Sequence, residues 1–144
     1  MVIAVSACLL GQNCKYNGGN NFSEELSHRL RGHTVIPICP EVMGGLPTPR
    51  TPVELVNGKA IMRSGEDVDA CFRKGAQIAL KEVTDAGAEL VILQPRSPSC
   101  GSREIYDGTF SGRKIPGQGI FAALAVRAGL RVLDAEEFLI NPDF

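Results

Sequence analysis

Four short apolar runs are spaced along the chain: Val2-Ile3-Ala4-Val5, Thr34-Val35-Ile36-Pro37-Ile38, Leu90-Val91-Ile92-Leu93 and Arg131-Val132-Leu133. Each is too short for a helix and too uniformly apolar for an exposed loop, which predicts buried strands. Helical patterns lie between them. Ser23 with Glu24 and Glu25 opens a short helix carrying Leu26 and Leu30, with Arg29 and Arg31 at its end and Gly32 as its stop. Asp67 to Ala86 is the longest predicted helix, with Val68, Phe72, Ile78, Ala79 and Val83 at roughly helical spacing and Gly87 closing it. Ile120 to Val126, after Gly117-Gln118-Gly119, is so apolar that it must be largely buried.

Two polar-punctuated pairs interrupt this alternation. Val53-Glu54-Leu55-Val56 and Lys59-Ala60-Ile61-Met62 flank Asn57-Gly58, a pair suited to a type I′ turn, and predict a small β-hairpin excursion. Ile105 to Gly112 has the composition of another turn or short hairpin. The stretch from Leu9 to Asn21 is rich in Gly and Asn and reads as a loop. Cys39 to Pro52 is too rich in Pro and Gly for a helix or central strand, and a long rigid loop after a strand tends to be functional. No repeat and no second domain are visible. Strand–helix alternation predicts one α/β domain over residues 1–144, a mainly parallel Rossmann-like sheet with helices on both faces.

Composition narrows the partners. The 144 residues are 44% apolar and 22% charged with a formal net charge of -1, so there is no electrostatic case for nucleic acid or an anionic membrane surface. No apolar run approaches the roughly 20 residues that span a bilayer. The start looks like a first strand and lacks a basic leader segment. Five cysteines without the spacing of a secreted disulfide scaffold suggest a reducing, cytoplasmic setting, where thiols serve metal or catalysis. The oligomeric state is left open.

Three of the cysteines share a placement. Cys8, Cys39 and Cys100 each follow a predicted strand, and in an open α/β sheet the strands' carboxyl ends line the edge where ligands bind. They are expected to converge on one crevice. Small buried thiols would explain them too, since free cysteine is commonly buried. The adjacent Pro, Gly and polar residues leave backbone N–H groups free to face sulfur, as a thiolate or a cluster requires. Given three thiolates, zinc with an open position and a cubane with one open iron both remain possible. Cys14, near Cys8, is a possible fourth ligand or a loop thiol without a role, and Cys71 belongs with core packing. Glu41 and Ser97, close to Cys39 and Cys100, are candidates for proton transfer.

The motifs Ser6-Ala7-Cys8-Leu9-Leu10-Gly11, Cys39-Pro40-Glu41-Val42-Met43-Gly44-Gly45-Leu46-Pro47-Thr48-Pro49-Arg50, Ser97-Pro98-Ser99-Cys100-Gly101 and Ile105-Tyr106-Asp107-Gly108 resemble the short domain family that contains the 2-thiouracil desulfidases. The resemblance covers nearly the whole chain in the right order. It implies an oxygen-sensitive 4Fe-4S cluster held by Cys8, Cys39 and Cys100, with the fourth iron taking the substrate's sulfur. Glu41 and Ser97 carry over as acid/base residues, Tyr16 and Ser99 become substrate-binding candidates, and Cys14 lies outside the ligand pattern. One departure stands out: Lys15-Tyr16-Asn17-Gly18 replaces the family's usual Arg-Tyr-Asp-Gly, which changes what that loop can grip. The implied activity is cytoplasmic, non-redox removal of sulfur from a small thiolated heterocycle such as 2-thiouracil, giving the oxo product and hydrosulfide. A zinc-thiolate hydrolase and a non-enzymatic cluster or sulfur carrier are the alternatives.

Overall fold

A computed structural model describes residues 1–141. Four strands, β1 (Val2–Ser6), β2 (Thr34–Ile38), β5 (Leu90–Leu93) and β8 (Val132–Asp134), form an all-parallel sheet in the order β2-β1-β5-β8. The apolar runs thus became strands, and their lack of alternation has a plain cause. Ile3, Val5, Leu90 and Ile92 face one core, whereas Ala4, Val91 and Leu93 face the other. Helices α1 (Glu24–Arg29) and α5 (Ala135–Ile140) cover the first face through Leu26, Leu30 and Phe138. Helices α3 (Asp69–Asp85) and α4 (Ile120–Arg127) cover the second through Phe72, Ala76, Ala79, Phe121 and Ala125.

The chain leaves β1 for β2 on one side, then crosses back to β5 on the other. The strand order therefore reverses between β1 and β5, and the crevice outside their carboxyl ends is where such sheets bind ligands. Two antiparallel hairpins stand apart from the sheet. One pairs β3 (Val53–Val56) with β4 (Lys59–Met62), and the other pairs β6 (Glu104–Tyr106) with β7 (Lys114–Pro116). Asn57 and Gly58 both have positive φ, 50° and 79°, as a type I′ turn requires.

Several expectations need correction. The Cys39–Pro52 segment is not free of helix: α2 (Pro40–Met43) forms one turn there. Pro40 occupies the first helical position, where its fixed φ suits the helix and its missing N–H costs nothing. Ala7–Leu10 is a 3-10 turn, so Leu9 and Leu10 are not loop residues. The buried stripe of α3 includes Gly75 and Ala76, while Ile78 is only partly buried. Val126 is the exception on the apolar α4 and faces solvent. Helix α5 was unanticipated, although Asp134 and Glu137 form a reciprocal capping box at its start.

The crossing of α2 over α3 sets the position of the site. A methyl group on Gly75 would lie 1.7 Å from the Pro40 carbonyl oxygen, and one on Gly44 would lie 2.0 Å from the Cys71 carbonyl oxygen. Only paired glycines let these two backbones touch, and the contact fixes Cys39 and Glu41 at the end of β2. Alanine in an ordinary helix interior gains about 1 kcal/mol over glycine. Here Gly75→Ala is expected to lower stability by about 1–3 kcal/mol, the usual cost of overpacking. Urea unfolding reads the sign directly, and an unchanged or raised midpoint would show that the crossing has room to adjust.

Candidate active site

Parallel register brings the thiols together. Ser6 lies opposite Ile38 and Val5 lies opposite Ile92, so the chain leaves β1, β2 and β5 at nearly one level. Cys8, Cys39 and Cys100 then line a single cavity of about 670 Å3, within the range of about 300–1,000 Å3 for small-molecule sites. Cys71 is not part of it and packs against the core, as expected. Cys14 does line it. The Cys39 thiol lies 3.9 Å from the Cys14 carbonyl oxygen.

The turn that carries Cys100 is built on one hydroxyl. Ser97 Oγ accepts the backbone N–H groups of Ser99 (3.1 Å) and Cys100 (3.0 Å), and the Gly101 N–H donates to the Ser97 carbonyl (2.9 Å). The carbonyls of Pro98 and Ser99 in turn accept the first N–H groups of α4, which pins the turn to that helix. With both lone pairs engaged, Ser97 has its proton left to give, and Ser99 Oγ stands 2.9 Å away. Ser99 Oγ donates to Glu41 Oε2 at 2.7 Å, whereas Ser97 itself is 3.5 Å from that oxygen. At these lengths the chain Ser97–Ser99–Glu41 is the stronger arrangement. Ser99, expected beside the substrate, lines the cavity and, largely buried, donates to Glu41. Tyr16 lines the cavity with 45% of its surface exposed.

Arg50 ends the Cys39–Arg50 motif, and its surroundings show a role that the motif alone does not. Its side chain is 3% exposed and forms an ion pair with Glu41, itself 13% exposed, through Nε to Oε1 at 3.1 Å. Its other nitrogens donate to the Cys14 carbonyl (2.8 Å), the Pro47 carbonyl (3.2 Å) and Thr48 Oγ1 (3.1 Å). The Arg50 backbone N–H donates to the Tyr16 carbonyl at 2.6 Å. One guanidinium thereby fastens the carboxylate to the loop that carries Cys14 and Tyr16. In that loop Asn17 Oδ1 accepts the Gly19 N–H (2.9 Å) and Lys15 Nζ donates to Asn21 Oδ1 (3.0 Å). The Lys15-Tyr16-Asn17 departure is thus taken up by bonds internal to the loop.

Part of the cavity wall comes from the two hairpins. Glu54, buried on β3, accepts the N–H groups of Gly108 (2.9 Å) and Phe110 (3.1 Å) through Oε1 and draws the loop after β6 onto the cavity. The Arg63 guanidinium lies over the Phe110 ring at 5.9 Å. Neither Glu54 nor Phe110 carried a sequence signal, because the contact joins segments far apart in the chain. Gln94, just past β5, accepts weakly from the Cys8 thiol at 3.9 Å.

Three of the cavity thiols, those of Cys14, Cys39 and Cys100, are raised above the ordinary thiol range. Burial pushes the Cys100 thiol up to about 12, against the hydrogen bonds of Ser6 and Ser99. The neighbouring Cys14 thiol and then burial raise Cys39. For Cys14 the Cys39 hydrogen bond acts downward, but the Cys8 thiol and burial carry it above the ordinary thiol range. Metal binding removes the protons of such thiols, so a site built from them binds metal more tightly as pH rises. Among the described residues, no three His, Cys, Asp or Glu side chains are gathered closely enough for a single metal ion. Tetrahedral zinc at about 2.3 Å would draw its sulfurs to within about 4 Å of one another. A cubane spreads its ligand sulfurs to a span on the order of 6–7 Å. The all-sulfur donor set, Cys8, Cys39 and Cys100 around one cavity, is the kind that holds an iron–sulfur cluster.

Residues 3–137 match the model of the family described as 2-thiouracil desulfurase. An uncharacterized protein of Bacillus subtilis (strain 168), YbbK, is 42% identical over 146 residues, covering 94% of this chain and 97% of that protein. A solved structure described as the 4Fe-4S-dependent thiouracil desulfidase TudS superposes with a TM-score of 0.87 at 42% identity, over 93% of this chain and 90% of the other. The thiols at three strand ends, the Glu41–Arg50 pair and the serine turn stand within that matched span, and the chain belongs to the 2-thiouracil desulfurase family.

Proposed function

We propose that this protein removes sulfur from a small thiocarbonyl heterocycle of the 2-thiouracil class, giving the oxo compound and hydrosulfide without net redox change. The observation that carries the reading is the cavity itself, where three strand-end thiols and the Glu41 carboxylate face one space. Cys8, Cys39 and Cys100 are the residues that would hold a 4Fe-4S cluster. Such a cluster supplies a Lewis-acidic iron toward the thione sulfur, leaving the thione carbon open to water. Five free thiols are in keeping with a reducing, cytoplasmic setting.

Protein groups supply the rest. Glu41 is the base that takes a proton from the attacking water. Each carboxylate oxygen has two lone pairs, so its bonds to Arg50 and Ser99 leave room for that water. Ser97 donates to Ser99 and Ser99 to Glu41 Oε2, which orients the carboxylate, and Glu41 passes the proton it has taken to the leaving sulfur. Arg50 holds the carboxylate in one orientation. Tyr16 closes the side of the cavity from the loop that Arg50 anchors. Water adds to the carbon, the carbon–sulfur bond breaks, and one oxygen replaces one sulfur.

Anaerobic reconstitution, iron and sulfide analysis and hydrosulfide release from 2-thiouracil test this. Cys8→Ser, Cys39→Ser and Cys100→Ser are expected to lose cluster and activity together, whereas Cys71→Ala keeps both. A fully active Cys39→Ser protein would end the cluster reading. Glu41→Gln keeps the shape but removes the base, so turnover should fall by about 10²–10⁴ while the cluster spectrum stays as in the parent. Undiminished turnover in that variant would move the base elsewhere. Ser97→Ala frees two N–H groups beside Cys100 and should both slow turnover and speed iron loss. Ser99→Ala should slow turnover alone.

Arg50→Met removes the guanidinium and leaves a buried carboxylate without its partner. Breaking such a pair costs about 3–5 kcal/mol, and that loss is the outcome expected in chemical unfolding of the metal-free protein. A loss below 1 kcal/mol, the scale of an exposed pair, would show that Glu41 is solvated without Arg50.

A further inference from the structure

One carboxylate in the cavity has no part in the reading above. Glu54, on β3, is 9% exposed and lines the same cavity as the strand-end thiols. Its Oε1 accepts the N–H groups of Gly108 and Phe110, at 2.9 and 3.1 Å. Those bonds hold a loop in which both residues have positive φ, 90° and 56°, and such strain at a residue other than glycine gathers at ligand sites. Oε2 makes no hydrogen bond, and Glu54 no ion pair, among the described residues. A buried carboxylate with one oxygen unpaired is costly, and it marks a place where a donor arrives with a ligand. Arg96, Pro98 and Tyr106 share a small cleft with Glu54, which puts the carboxylate beside the turn that carries Ser97 and Cys100.

We propose that Glu54 reads the heterocycle, its Oε2 accepting a ring N–H adjacent to the thiocarbonyl. The proposal deepens the desulfidase reading of the preceding section and rests on it. In the thione form of 2-thiouracil both nitrogens beside the thiocarbonyl carry hydrogen, and an ionised carboxylate is an acceptor only. Hydrogen bonds to a charged acceptor are about twice as strong as neutral ones. This one also favours the thione, because the thiol tautomer has moved a ring proton to sulfur. With Oε1 fastened to two N–H groups, Oε2 is oriented before the ring arrives. The two carboxylates thereby divide the work. Glu41, tied to Arg50 and Ser99, meets the water, and Glu54 meets the ring. A heterocycle alkylated on both nitrogens leaves Oε2 unpaired and is discriminated against.

A cycle of two proteins and two substrates tests this. Anaerobic hydrosulfide release is measured from 2-thiouracil and from 1,3-dimethyl-2-thiouracil, with parent and Glu54→Gln protein reconstituted to the same iron and sulfide content. Glutamine can still accept the Gly108 and Phe110 N–H groups, but it turns an amide donor toward the ring. In the variant kcat/KM for 2-thiouracil should fall about ten- to a hundred-fold, the range for a hydrogen bond to a charged group. For the dimethyl compound parent and variant should agree within about two-fold. An equal fall with both substrates would leave Glu54 a purely structural role and overturn the proposal, as would an unchanged kcat/KM for 2-thiouracil. Isothermal titration gives a measure independent of turnover. The oxo product uracil keeps both N–H groups, so the reconstituted parent should bind it about ten-fold or more tighter than 1,3-dimethyluracil, and Glu54→Gln should lose that preference. A preference that persists in the variant overturns the proposal. Equal binding of the two compounds by the parent overturns it even if the variant does not fold. A parent protein that prefers uracil in this way but releases no hydrosulfide would overturn the desulfidase reading and leave the Glu54 contact standing.

Discussion

Parallel pairing of β1 with both β2 and β5 is the constraint on which the rest of the molecule depends. It sends three strands in one direction, so three chain segments far apart in sequence emerge at one edge. Each emergence needs a device to stop the strand and present a thiol. After β1 it is a 3-10 turn, after β2 a one-turn helix led by Pro40, and after β5 a turn organised by the Ser97 hydroxyl. The devices differ, but their thiols meet because the strands that feed them are in register. A slip of one residue would interchange the two buried faces of a strand and move its thiol away from the others.

Within that frame the charged pair Arg50–Glu41 has an uneven energetic character. Burying it costs desolvation, and an apolar pair of the same size would serve stability about as well. Its value is positional. Arg50 makes four side-chain hydrogen bonds, to Glu41, Cys14, Pro47 and Thr48, and so joins α2, the loop after β1 and the turn before β3. The carboxylate is then oriented on one oxygen by the guanidinium and on the other by Ser99. A base held from both sides needs little reorganisation during proton transfer, the condition under which an electrostatic site is effective.

The hairpins have a different task. Neither joins the main sheet, and each is too small for independent stability. They hold together through the buried Glu54 carboxylate, which gathers the N–H groups of Gly108 and Phe110. This gives the cavity a wall that includes the Tyr106 and Phe110 rings and the Arg63 side chain.

Much of this was legible in the chain. Uniform apolar runs, the Asn57-Gly58 turn and the Ser23 cap are local signals, and each became the expected element. The strand-end placement of Cys8, Cys39 and Cys100 depends only on where strands stop, which is why their meeting was foreseen. The single turn of α2 was missed because Pro and Gly usually break helices, and only its packing on α3 through Gly44 and Gly75 holds it. Helix α5 is short, and its apolar residues count only against the face already covered by α1. Ile78 and Gly75 exchanged burial because a backbone contact, not side-chain size, decides which face of α3 is innermost. Arg50, Glu54 and Cys14 acquire their surroundings through contacts that span 9 to 56 residues. Spacing along a chain cannot carry such contacts. Local periodicity determined the elements and which thiols end them, and tertiary structure alone decided what surrounds those thiols, because side-chain neighbours are set by how elements pack.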